Sequence, residues 1–280
     1  MPAVESTFRA KCTVTIADVA TVSEFTRSLA ERTKPEVAAS WDPVGLQLGD
    51  PEAEVGTVAV CHEVTEEVVT RLEDEPVDLL VTYHPLLFIP TNRLVSGRSA
   101  ESRAFRLIRA GVSLLVTHTD FDAMEGGSAD ALAKIYRLRN VVPFGADEET
   151  GAPAIGRVGE FDGNLGVLDA ITSDAFGSNG LRISGDRDID LERVAVVPGS
   201  GSEFISEAAE VADALVTGDV SHHRAVLAAD LGLAIVDPGH VATERPGMRA
   251  LASLIGEITD DVRDLTGIDP TTWKAPHSRR

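Results

Sequence analysis

Two hydrophobic rhythms alternate along this chain. Short, unbroken apolar runs at 58–61, 79–82, 112–117, 194–197, 215–217 and 234–236 have the length and β-branched content of strands buried on both faces, and 156–161 reads as a further strand. Between them apolar positions recur every three or four residues, as on a helix. Val19, Val22, Phe25 and Leu29 form one such series, after an apolar run that starts at 14–16. Thr65 ahead of Glu66 and Glu67 is a cap signal, and the helical pattern over 101–110 ends at Gly111, which can close a helix in the left-handed conformation. Ser128 is placed to cap a helix reaching about Leu138. Further helices are predicted over 165–176, from Ser202 and from Ser221. The last is predicted from Pro246, where a missing N–H costs nothing, with Met248, Leu251, Ile255 and Ile258 on one face.

Strands alternating with helices of this length predict an α/β fold with mainly parallel sheets covered by helices. The stretch 141–153, rich in Pro, Gly and acidic residues, divides the chain into two such units. Residues 41–50 (WDPVGLQLGD) read as a loop, with Trp41 as its packing anchor or, more sharply, a ligand-stacking ring.

Charge narrows the classes of partner. Among 280 residues, 45 Asp and Glu face 25 Lys and Arg, a formal net charge of -20. Nucleic-acid binding needs a basic footprint, so this balance disfavours it, and an anionic membrane surface would be repelled. Only four of the basic residues are lysines, and many carboxylates with few lysines suggest a salt-adapted, halophilic protein, whose self-repulsion salt would screen. No run is long enough for a membrane-spanning helix, and Met1 to Lys11 show no apolar signal segment. Cys12 and Cys61 make no disulfide framework, so the expected location is cytoplasmic.

The chemistry gathers at strand ends. His84 follows 79–82, and His118 follows 112–117 together with Asp120 and Asp122. Asp219, His222 and His223 follow 215–217, and His240 follows 234–236, four residues before Glu244. In open α/β sheets functional groups collect at the carboxyl ends of strands, so these clusters can converge on one point. Imidazole and carboxylate donors together suit zinc, manganese or iron, as one ion or as two bridged by Glu244 or Asp122. His62 and His277 carry no assigned role. Pro198–Ser202 (PGSGS) reads as a tight turn in preference to an anion cradle, since it lacks the ending of a nucleotide P-loop.

At these residues the chain resembles the NIF-three-like family, also known as GTP cyclohydrolase type 2 homologues or dinuclear-metal-centre hexameric proteins. The matching blocks are 41–50, DLLVTYHPLLF (78–88), THTDFDAMEGG (117–127), VTGDVSHHRAVLAADLGL (216–233) and DPGHVATERPGMRAL (237–251). The resemblance implies two α/β domains with mixed, mainly parallel sheets: a metal-binding domain of residues 1–140 and 235–280, and a second domain, 141–234, inserted into it. It also implies metal ligands at His84, Asp122, His240 and Glu244, with His118 as a further ligand or a neighbour of one. Tyr83 stands where the family has the first histidine of a pair, so one metal position is expected to be weakened, empty or rebuilt with a phenolate. The implied cofactor is a divalent transition metal, one or two ions per subunit, in a homohexamer acting on a small molecule such as GTP. Glu244 would be central to catalysis, His118 or His223 would move protons, and Arg245 or Arg249 would meet a triphosphate. A non-catalytic metal-carrying scaffold and a phosphoester hydrolase are the alternatives.

Overall fold

The computed structural model describes residues 21–146 and 153–271. The run at 14–16, Val19, Cys12 and His277 lie outside them. Strands β1–β11 and helices α1–α9 are numbered here in chain order.

A first sheet has the order β1-β4-β3-β2-β11. Its strands are β1 (Gly45–Leu48), β2 (Val58–Cys61), β3 (Leu79–Thr82), β4 (Ser113–Val116) and β11 (Val262–Asp264). All its pairings are parallel except β1 with β4. The period of two along a strand sorts the side chains. Val58, Val60, Leu79, Val81 and Leu115 face one core with α1 (Val22–Thr33) and α9 (His240–Gly256). Ala59, Cys61, Leu80 and Leu114 face the other, with α2 (Glu66–Asp74) and α3 (Ala100–Ala110). Because both faces are covered, these strands read as continuous apolar runs.

A second sheet has the order β5-β6-β8-β9-β10-β7. It is built from β5 (Arg139–Phe144), β6 (Gly156–Asn164), β7 (Arg182–Ser184), β8 (Asp190–Ser200), β9 (Ala214–Gly218) and β10 (Ala234–Asp237). Only β8–β9 and β9–β10 pair parallel, so this sheet is the more mixed of the two. Helices α5 (Ser128–Ile135) and α6 (Leu165–Phe176) cover one face, α7 (Ile205–Val211) and α8 (His222–Asp230) the other. Its strands all fall between residues 139 and 237, and the chain then returns to the first sheet at β11. β10 therefore belongs wholly to the second sheet, although the expected division at residue 235 cuts through it.

Local signals account for most boundaries. Thr21 and Glu24 form a reciprocal capping box on α1, and Thr65 accepts from the Val68 N–H at 3.2 Å to start α2. Three expectations are corrected. Helix α9 starts at His240, six residues before Pro246, which sits inside it. Ser128 is the first residue of α5 and not its side-chain cap, and the helix ends at Ile135. The 41–50 segment contains β1, an edge strand whose partner β4 lies far along the chain.

Helix α9 joins the two halves. It leaves the second sheet after β10 and lays Met248, Leu251 and Ile255 on the first sheet, each burial contributing roughly 1.5–3 kcal/mol. Gly247 lets α5 close in, since a Cβ there would lie 2.5 Å from Ser128 Oγ. The first turns of α9 are thereby held between the sheets. No helix among the described residues is long and apolar enough to cross a membrane.

Candidate metal centre

Three neighbouring parallel strands end side by side and each delivers an imidazole: His62 after β2, His84 after β3 and His118 after β4. Opposite them, the first two turns of α9 present His240 and Glu244, four residues apart on one face. Glu244 is the hub. Its Oε2 lies 2.8 Å from His62 Nε2, and its Oε1 lies 3.3 Å from His84 Nε2 and 3.0 Å from His240 Nε2. Both Glu244 and His62 are 2% exposed. Burial pushes the Glu244 carboxyl up, but the hydrogen bonds from His240, His62 and His84 outweigh it and hold the group well below the usual carboxylate range.

Donor atoms of His62, His84 and Glu244 all lie within 4.8 Å of one another, so this group could hold a metal ion. Separations of 2.8–3.3 Å between its nitrogen and oxygen atoms are those of two ligands each about 2.1 Å from a shared ion. The surrounding contacts fit the same chemistry, because metal-binding imidazoles are usually oriented by a carboxylate on the second ring nitrogen. His240 Nδ1 meets Asp219 Oδ2 at 2.8 Å, and His118 Nδ1 meets Asp42 Oδ2 at 3.0 Å. Asp42 also accepts from the backbone N–H and the hydroxyl of Thr119. Its other oxygen, Oδ1, is buried without a hydrogen-bond partner.

Tyr83 is 1% exposed, and its O–H donates to Asp122 Oδ1 at 2.6 Å. Burial, reinforced by the charges of Asp122 and Glu244, pushes the phenol well above its ordinary value. Tyr83 is thus a hydrogen-bond donor to Asp122 in this structure. Burial likewise raises Asp122 to about 7, with Glu244 adding to the shift while His118 and the Tyr83 hydrogen bond oppose it.

A cleft of about 490 Å³ opens over the donors. His84, His118, His240, Asp122 and Glu244 all line it. At its rim Trp41 and Phe88, 59% and 51% exposed, hold their rings 5.8 Å apart. The PGSGS segment is more than a turn, since it ends β8 and walls the cleft with Pro198, Gly199 and Ser200.

Other expected residues lie elsewhere. His223 sits at the exposed start of α8, its ring tilted against that of His222, and does not line the cleft. Arg245 and Arg249 border a second cavity of about 380 Å³ that His62 also lines, and Arg245 pairs there with Asp269. Among the described residues lining the metal cleft there is no lysine or arginine. Cys61 packs against α2 and α3, and burial pushes its thiol up to about 12. His62, directly after the strand at 58–61, and Asp42, inside the 41–50 block, had no expected role, and their partners lie 182 and 76 positions away.

The charge pattern predicts a pH dependence for the metal-free protein. The Glu244 hydrogen bond, aided by Asp219, raises His240 to about 9 against the cost of burial. Burial works against the charged form of His118 too, but the Asp42 hydrogen bond and the charges of Asp122, Asp42 and Glu244 raise it. These two groups and Asp122 keep protons that the unfolded chain sheds at lower pH. For Asp122 that contribution is complete below about pH 4 and gone by about 7, whereas for His118 and His240 it is complete below about pH 6 and is lost as pH rises, for His240 through about 9. Glu244 and Asp42, both lowered, set the acid limit, so the melting temperature in chelator should peak near about pH 5–6 and fall towards pH 9. A midpoint that climbs steadily to pH 9 would contradict this assignment of protons.

Two α/β sheets with a histidine–carboxylate cluster at the carboxyl ends of parallel strands define a protein with a candidate metal centre. Residues 20–267 match the family model described as Duf34/NIF3 (NGG1p interacting factor 3), and the chain belongs to that family. Among its relatives is the GTP cyclohydrolase 1 type 2 homolog of Streptomyces coelicolor, 34% identical over 248 residues, which span 85% of this chain and 87% of that one. The homolog of the same name in Methanocaldococcus jannaschii is 30% identical over 242 residues, 85% of this chain and 95% of that one. The solved structure of reduced HcgD from M. jannaschii superposes with a TM-score of 0.76 at 29% identity, covering 88% of this chain and 97% of that chain. Staphylococcus aureus hypothetical protein SA1388 shares the fold at a TM-score of 0.81 and 22% identity, over 92% of this chain and 100% of that chain.

Proposed function

We propose that the protein is a metal-dependent hydrolase that adds water to an electrophilic carbon of a small nitrogen heterocycle, with the purine imidazole ring of GTP the first substrate to test. One observation carries this reading: of the His62/His84/Glu244 donor group, His84 and Glu244 face a cleft together with a separately oriented imidazole, His118. His62, His84 and Glu244 would hold the metal, with His240 and Asp122 close by. A zinc, iron or manganese ion bound there would polarise the substrate and lower the pKa of water towards neutrality.

The remaining work falls to the chain's own residues. In ring opening, water oxygen bonds to the carbon between two ring nitrogens, one carbon–nitrogen bond breaks, and the released nitrogen takes a proton. His118 is placed to move that proton, because Asp42 fixes its Nδ1 and leaves Nε2 for exchange. Trp41 and Phe88 offer apolar ring faces to a planar substrate at the mouth of the cleft.

A second reading, a metal-carrying scaffold, is favoured by the lining of the cleft. Glu63 and Glu203 border it and no arginine or lysine among the described residues does, so a triphosphate in this cleft meets no cationic side chain from its lining. In the expected hexamer such cations would come from a neighbouring copy. To separate the readings, protein loaded with zinc, iron or manganese is incubated with GTP and, in parallel, with a chromogenic phosphodiester. Hydrolysis predicts a ring-opened product by absorbance and no release from the diester. Turnover of the diester alone would replace the proposal with phosphoester hydrolysis, and no turnover of either substrate at full metal content would leave the scaffold.

A further inference from the structure

The residue that sequence reading left without a role, His62, and the one that departed from expectation, Tyr83, occupy adjoining places. Strands β2 and β3 run parallel with Cys61 beside Thr82, so the next positions, His62 and Tyr83, are neighbours at the sheet edge. The Tyr83 N–H donates to the Cys61 carbonyl at 3.1 Å, and the His84 N–H donates to the His62 carbonyl at 3.0 Å. The His62 ring lies 5.6 Å from that of Tyr83 and 5.1 Å from that of His84. An imidazole moved from β3 to β2 shifts by one strand spacing, about 4.8 Å, so its nitrogen can still reach the same carboxylate. His62 Nε2 does so, at 2.8 Å from Glu244 Oε2.

Tyr83 closes the other side. Its hydroxyl is spent on Asp122 Oδ1 at 2.6 Å, and both side chains are buried. A cation drawing on Asp122 Oδ1 would have to compete with that hydrogen bond.

We propose that the chain holds a single ion per subunit, on His62, His84 and Glu244, with His62 supplying from β2 the imidazole that β3 lacks, and with the Tyr83–Asp122 hydrogen bond standing where a second ion would need to bind. This rests on the metal-binding half of the proposed function and is independent of catalysis. The donor set, two imidazoles and one carboxylate with room for water in the cleft, is that of a mononuclear zinc or iron(II) site.

The test counts ions. Full-length protein is stripped with chelator, loaded with excess zinc, desalted and assayed for zinc per chain, while crystals soaked in zinc are measured at the zinc absorption edge. We expect one zinc per chain and one anomalous peak within bonding distance of His62 Nε2. His62→Gln should weaken zinc binding by more than about 100-fold, beyond the loss of an outer-shell partner. Tyr83→Phe should keep its single zinc, and Tyr83→His should gain a second. Two zinc ions in the unmodified chain, or a single peak remote from His62, would overturn the one-ion arrangement while leaving metal binding intact. No zinc at all would overturn both. The anomalous peak decides the point even if His62→Gln fails to fold.

Discussion

Glu244→Gln is expected to empty the metal centre while leaving the fold in place. The carboxylate meets three imidazoles through two oxygens, at 2.8, 3.3 and 3.0 Å, and is 2% exposed. An amide of the same shape removes the negative charge that attracts the cation. It keeps one acceptor oxygen and sets an NH₂ against an imidazole nitrogen. Retained metal should fall by more than about 100-fold, measured as metal per chain after desalting, because a direct ligand must count for more than its outer-shell partners. In chelator the variant should also be less stable, by about 1.5–3 kcal/mol, the range for one hydrogen bond to a charged group. Any hydrolytic turnover should vanish with the metal. A variant that keeps its metal would place the centre on other residues and remove the basis of the proposed function.

How much of this was legible in the sequence depended on how local each cause was. Strands β2, β3 and β4 announce themselves because both faces are covered, which turns them into unbroken apolar runs. The edge strands β1, β7 and β11 are short and take their identity from partners far along the chain, so a window over them shows little. Helix α9 was read from Pro246 because proline favours a first turn, yet the packing of its first turns between the sheets carries the helix back to His240. That early start is what makes His240 and Glu244 share a face, as their spacing allowed. The strand-end histidines His84, His118 and His240 were readable from position alone. His62 carries the same strand-end signal, after 58–61, but its role depends on a carboxylate brought up by a distant helix. Arg245 and Arg249 stand beside the metal block in sequence and line, with His62, a cavity other than the cleft over His84 and Glu244.

Gly199→Ala tests the wall of the site without replacing a donor. Gly199 has φ +67, in the left-handed region, and its N–H donates to Thr243 Oγ1 at 2.9 Å, which ties the end of β8 to the first turn of α9. A Cβ there would lie 2.6 Å from Glu244 Oε1 and 3.4 Å from His240 Nε2. Two consequences follow from different physics. The backbone conformation alone should cost about 1–2 kcal/mol, read as a fall in the melting temperature of the metal-free protein. The carboxylate must also give way by several tenths of an ångström. That moves the one group shared by His62, His84 and His240, so zinc affinity should fall by about tenfold or more, a loss comparable to that of an outer-shell partner. Gly111→Ala serves as the control, because it has a similar φ, +74, and nothing within 4 Å of the added carbon. It should show the stability loss and keep full zinc affinity. Equal zinc affinity in both variants would mean that β8 does not shape the centre.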